Sequence, residues 1–292
     1  MAWKEFAWNG IRFVTPAAWQ AGRIGARYLM LEEESGPVLE VKWGRVKGVF
    51  SHQAQLGRLA ALQGKKLGES VRECPLPAAW EKALAKYQAT GFSWHGRTVG
   101  GMGVLLYCPT CQNATLIQFY RKDSNQAGKI PQRLLASFRD HRKENEVIWS
   151  LFDIRATIPE KFRLVRYRFE AGEFELAFAS GGQTITLHRW GPASILLCDR
   201  DLIQFARTVL SHPRGEPRPV IGADGKAVEW TVEPPPTLWG HWWGRIKGKS
   251  SFQWFRLWHL EEKNRILGVR VEGRRIIEQD LLERICAGYE SL

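Results

Sequence analysis

A basic residue, a tryptophan and a glycine close an alternating apolar run twice in this chain. They stand as Lys42-Trp43-Gly44 in VKWGRVKGVF and as Arg189-Trp190-Gly191 in LHRWGPASIL. From residue 43 to residue 190 is an interval of 147. The element has company. IRFVTP (11–16) precedes Trp19 as IRATIP (154–159) precedes Phe162, each an alternating strand ending on a proline that cannot donate to a ladder. ARYLMLEEE and PVLEVKWG, separated at Ser35-Gly36, match GEFELAFAS and QTITLHRWG, separated at Gly181-Gly182; the glycines suit tight hairpins. Helical spacing follows in both places, with Leu56, Leu59 and Leu62 in SHQAQLGRLAALQ and Leu202, Phe205 and Val209 in DLIQFARTVL. Leu134-Leu135 and Leu281-Leu282, again 147 apart, sit in closing helices.

One order of landmarks at nearly one offset is the signature of a doubled chain. The expected architecture is α+β, with two tandem α/β sandwich halves at 1–145 and 146–292. Each half is an antiparallel sheet flanked by helices. In this reading each repeated Trp plugs a core, each Gly lets the chain turn toward the next helix, and only the basic residue is left for a partner.

The elements IRFVTPAAW, the hairpin ending VKW, TLIQFY and the closing helix with LLASF resemble the PsbP-like fold. That fold is shared by the photosystem extrinsic protein P, the Ran-release factor Mog and DcrB-type bacterial proteins. The second half departs from the pattern, ending in LLERICAGY where Ser-Phe is expected. The resemblance implies adaptor and binding modules and supplies no catalytic residues.

Charge gives the functional reading its direction. With 42 Lys and Arg against 30 Asp and Glu, the net charge of +12 attracts acidic partners by long-range steering. Binding or adaptor function toward an acidic protein is the expectation, with Lys42, Arg189, Arg245, Lys247, Lys249, Arg163, Arg166 and Arg168 as candidate contacts. The rival is nucleic-acid binding. WGHWWGRIKGKSSFQWFRLWH (239–259) interleaves tryptophans with Lys and Arg, the recipe for stacking bases while holding phosphates. Strand alternation offers a packing explanation of the same stretch, with Phe252, Trp254 and Arg256 on one face and Gln253, Phe255 and Leu257 on the other. Likewise, the arginines of 163–168 would discourage edge-to-edge pairing if that strand ends a sheet.

Cys108-Pro109-Thr110-Cys111 can present two thiolates to zinc, and is the focus of a third reading, a zinc-dependent factor or an enzyme of unrecognised type. Cys74, His95 and His141 are the residues that folding could add. Set between strands rather than at a helix start, the pair lacks the dipole that makes a redox CxxC reactive. The sequence has no GxSxG, P-loop or HExxH pattern, and Gly100-Gly101-Met102-Gly103 leads into a strand, not a helix. No catalytic residues and no cofactor other than zinc are expected. Scattered cysteines, a non-apolar N-terminus and no membrane-length apolar run suggest a soluble cytoplasmic protein.

Overall fold

A computed structural model describes residues 1–67, 70–96, 99–121, 128–140, 145–209, 217–220, 226–232, 252–274 and 278–292, without the side chains of 62–67 and 121. The chain divides into two compact units. Unit 1 comprises Met1–Glu144 with Ile148–Phe152, and unit 2 comprises Asn145–Val147 with Asp153–Leu292. Antiparallel sheet dominates both, with helices added, an α+β arrangement.

Unit 1 opens with a hairpin of β1 (Trp3–Trp8) and β2 (Ile11–Pro16). Asn9 and Gly10 have φ of 43° and 95°, the positive pair that a two-residue turn needs to match strand twist. There follow β3 (Gln20–Gly25), β4 (Tyr28–Glu33), β5 (Gly36–Arg45), α1 (His52–Leu67), β6 (Ser70–Glu73), α2 (Ala78–Ala83), β7 (Gln88–His95), β8 (Gly100–Cys108), β9 (Asn113–Arg121) and α3 (Lys129–Ser137). Strands β3 to β9 make one seven-stranded sheet in the order β3-β4-β5-β9-β8-β7-β6. The Ser51 hydroxyl caps α1 by accepting from the Ala54 N–H at 3.2 Å. Leu56 and Leu59 then pack with Phe92, Trp94 and Leu105. Of the three leucines expected to face the core, Leu62 has a side chain outside the described set.

After β10 (Glu146–Leu151), unit 2 runs through β11 (Ile154–Pro159), β12 (Arg163–Glu170), β13 (Glu173–Ser180), β14 (Gln183–Trp190), α4 (Ala193–Leu196), α5 (Leu202–Val209), β15 (Arg218–Pro219), β16 (Ala227–Val232), β17 (Phe252–Leu260), β18 (Arg265–Gly273), α6 (Gln279–Ala287) and β19 (Glu290–Ser291). Its seven-stranded sheet has the order β12-β13-β14-β18-β17-β16-β15. Taken in chain order, this is the same path as the sheet of unit 1. At the start of α5, Asp201 and Gln204 cap each other's backbone N–H at 2.7 and 3.1 Å. The helix lays Leu202 and Phe205 on a core of Trp190, Trp230, Phe255, Leu257 and Ile266.

The repeated landmarks prove to be packing devices. Trp19 N–H bonds Pro16 C=O at 3.1 Å, and Phe162 N–H bonds Pro159 C=O at 2.9 Å, so each Pro-x-x-aromatic folds into one turn that drives its ring inward. Trp43 and Trp190 are both buried. Ser137 accepts from Val14 N–H at 2.9 Å and donates to Leu134 C=O at 2.7 Å, which ties the end of α3 to β2. Phe138 beside it is fully buried. In unit 2 Tyr289 follows α6, buried, with its hydroxyl donating to His188 C=O at 2.9 Å. Neither Gly44 nor Gly191 has a positive φ. Gly191 instead leaves room for a neighbour, since a Cβ there would lie 2.7 Å from Arg265 Cδ.

The glycine run of β8 is explained by close packing rather than by phosphate binding. A Cβ on Gly101 would lie 2.1 Å from the backbone oxygen of Phe119, and one on Gly103 would lie 2.4 Å from the Phe92 ring. Gly101→Ala is therefore expected to destabilise the protein by roughly 1–3 kcal/mol, read from its urea midpoint. An unchanged midpoint would refute this overpacking account. Among the described residues, no helix is long and apolar enough to cross a membrane.

Candidate functional site

Strand β12 ends its sheet, and its register holds the feature that organises the surface. Arg163 lies opposite Ala179, Arg166 opposite Ala177 and Arg168 opposite Glu175, with a bulge between Leu164 and Arg166. Residues directly opposite share a face of the sheet. Strict alternation would send Arg163 to the face away from Arg166 and Arg168. The extra residue, Val165, restores the phase and gathers all three arginines on one face. All three are exposed, whereas Leu164, Tyr167 and Phe169 are half-buried. Arg166 Nε reaches Glu175 Oε1 at 2.6 Å, and Arg168 Nη2 reaches Glu173 Oε2 at 2.8 Å, so carboxylates from β13 hold two of the guanidinium groups extended.

The basic residues of the repeated tripeptide part company. Lys42 is about half exposed, 2.8 Å from Glu40 and over the Tyr28 ring. Arg189 is buried at 7% exposure, a correction to its place among partner contacts. Its guanidinium is committed to Asp153 and lies 4.4 Å over the Phe174 ring. Arg265 adds a second cation on the same oxygen, with Nε 2.9 Å from Asp153 Oδ2. Burial alone would push the Asp153 pKa up, but hydrogen bonds from Arg189 and Arg265 outweigh it and hold the carboxyl below its usual range. Arg245, Lys247 and Lys249 lie outside the described residues. Of the 239–259 stretch, the described part is strand β17, where Phe252, Trp254, Phe255 and Leu257 are all buried. Arg256 runs over Trp254 and joins Glu229 and Glu283 at 2.8 Å, so this segment is packed on both faces.

Among the described residues, two clusters group metal-ligating side chains. One is Glu173, Glu175 and His188, on the arginine-bearing face. Burial, then the charges of Arg270, Arg168 and Arg166, push His188 down to about 3. The imidazole is neutral at pH 7, stacked on Trp190 at 4.8 Å, with no hydrogen-bond partner for Nδ1 among the described residues. Those same cations would repel a metal ion, and two of them already occupy the carboxylates.

The other cluster is Cys108, Cys111 and Asp140. The CPTC turn joins β8 to β9 as the sequence suggested, closed by Gln112 N–H to Cys108 C=O at 2.8 Å, with Gln112 at φ 58°. Asp140 comes from the segment after α3, which β2 holds through mutual Arg12–Arg139 backbone bonds of 2.9 Å. Cys111 Sγ lies 3.4 Å from Asp140 Oδ2, and Tyr87 Oη donates to Oδ1 at 2.9 Å. Cys108 and Asp140 are buried. Burial first, and the adjacent Asp140 charge second, push the Cys111 thiol up to about 12, the opposite of a reactive redox cysteine. Neither Cys74 nor His95 joins the cluster, and His141 lies outside the described residues. Asp140 carried no sequence signal, because it reaches the turn only through the packing of α3.

No protein-family model matches the sequence, and no curated protein matches it. Among solved structures, the chain is similar to the apo form of TplEi, a T6SS immunity protein from Pseudomonas aeruginosa. The TM-score is 0.37 at 12% identity, over 100% of this chain and 97% of that one. The complex of TplEi with "L" peptide gives 0.34 at 14%, over 99% and 98%. A protein from Bacteroides thetaiotaomicron VPI-5482 gives 0.30 at 11%, over 56% of this chain and about half (53%) of its own length. Likeness at this level does not extend to ligands or partners.

Proposed function

We propose that this chain is a non-enzymatic binding or adaptor protein of the cytoplasm. On this reading it is built from two tandem PsbP-like halves and recognises an acidic protein through the arginine face of β12. The observation that carries the reading is the bulge at Val165, which places Arg163, Arg166 and Arg168 side by side on an exposed terminal strand. Guanidinium groups in a row match carboxylates bidentately, and those of Arg166 and Arg168 are already oriented by Glu175 and Glu173. The net charge of +12 adds long-range attraction of the same sign. The common strand path of the two sheets supports the tandem halves. The absence of any disulfide among the five cysteines suits a reducing compartment. Nucleic-acid binding is the weaker reading, because Trp254 and Phe255 are buried where stacking platforms would have to be open.

The test is affinity capture from the native cell with the parent chain and with a variant combining Arg163→Glu, Arg166→Glu and Arg168→Glu. An acidic protein retained by the parent, released by salt and lost with the variant is the expected result. Equal capture by both would overturn the proposed surface. Tight binding of a labelled oligonucleotide with a steep salt slope would favour the nucleic-acid reading instead.

A further inference from the structure

We propose that Cys108, Cys111 and Asp140 bind a zinc ion that fastens the β8–β9 hairpin tip to the segment following α3. The three ligand atoms lie within 4.8 Å of one another. Zinc bonds of about 2.3 Å to sulfur and 2.0–2.2 Å to oxygen put tetrahedral ligands roughly 3.5–3.8 Å apart. The 3.4 Å between Cys111 Sγ and Asp140 Oδ2 is already close to such an edge. Two soft thiolates with one carboxylate form a donor set that suits zinc rather than magnesium or calcium. The Tyr87 hydroxyl satisfies Oδ1 and leaves Oδ2 directed at the thiol, the outer-sphere support that ligating carboxylates commonly have.

Charge is met as well. Two thiolates and a carboxylate on Zn²⁺ carry a net negative charge, and the Lys86 ammonium stands in the field of both Asp140 and Cys108. It is anchored there by Phe138 C=O at 3.4 Å. The fourth position falls to water, since Pro109 and Thr110 at the turn are exposed. On binding, each thiol gives its proton to solvent, and zinc replaces the Cys111–Asp140 hydrogen bond. This inference is independent of the arginine face and of its partner.

The experiment is elemental analysis of full-length protein produced with zinc in the medium and purified without chelators. About one zinc per chain is expected, falling to background in Cys111→Ser. Cobalt(II) added to the metal-free protein should give a sulfur-to-cobalt charge-transfer band. Asp140→Asn, which keeps the Tyr87 hydrogen bond, should weaken metal binding at least tenfold in a chelator competition, and Tyr87→Phe by about tenfold. If Cys111→Ser fails to fold, chelation of the parent protein provides the same test, with loss of zinc lowering its Tm. Less than about half an equivalent of zinc without a cobalt band overturns the proposal, as does a Cys108–Cys111 disulfide in protein purified without reductant.

Discussion

Asp153→Ala is expected to lower the unfolding free energy by about 3–5 kcal/mol, because it strands two arginines at once. Arg189 is buried and Arg265 is about a quarter exposed, and Asp153 Oδ2 accepts from both. Without that oxygen, a desolvated guanidinium is left over the Phe174 ring with its charge unpaired among the described residues. Adding Arg189→Met to Asp153→Ala should recover much of the loss, since an apolar side chain removes the unpaired charge. The pH dependence carries the same sign. The carboxyl is held below its unfolded value, so its stabilisation is complete above about pH 4 and is lost as pH falls through the folded value. Urea unfolding of the three proteins decides the matter, and a loss under about 1 kcal/mol for the single variant would defeat the argument.

His188 should make the protein acid-sensitive at a much higher pH. Its imidazole is held neutral down to about 3 against an ordinary value of 6.5. Between those values the unfolded chain takes up a proton that the folded chain refuses, so stability falls as pH drops below 6.5. By pH 5 the loss is about 2 kcal/mol. The causes are burial and the facing Arg270, Arg168 and Arg166; Glu173, at 3.9 Å, does not offset them. His188→Phe keeps a flat ring on Trp190 and under the edge of Phe255 while removing the titration. The variant should lose about 2 kcal/mol less than the parent between pH 7 and pH 5. Parallel pH dependence of the two would show that His188 is not the responsible group.

Much of the fold was legible because its signals are local. A Gly181-Gly182 pair at φ 54° and 80° sets a hairpin whatever surrounds it, and the spacing of Leu202 and Phe205 sets a helix face in the same local way. Strands β1 and β3 went unread: QAGRIG in β3 lacks apolar alternation, and an edge strand half in solvent does not need it. The two-sided burial of β17 was readable as a packing alternative, since Phe, Trp and Leu occupy both parities of the strand. The sites were harder because their partners are distant along the chain. Arg189 looks like a free cation until Asp153 is brought to it across 36 residues. Cys111 lacked a third ligand until Asp140 arrived from 29 residues away. The phase of the β12 arginines depends on a register shift, which no count of residue types contains.

The bulge at Val165 also says how such a surface could change over time. Within a strand, adding or removing one residue carries everything on one side of the change to the opposite face. Insertion of one uncharged residue between Arg163 and Leu164, with the bulge kept, would send Arg163 through the sheet, away from Arg166 and Arg168, with net charge unaltered. Loss of Val165 itself would regularise the strand and keep the three in phase. Recognition by this face therefore has a coarse setting, moved by single-residue deletion or insertion. It also has a fine one, moved by exchanging the arginines themselves, and relatives of equal charge could differ completely in what they hold.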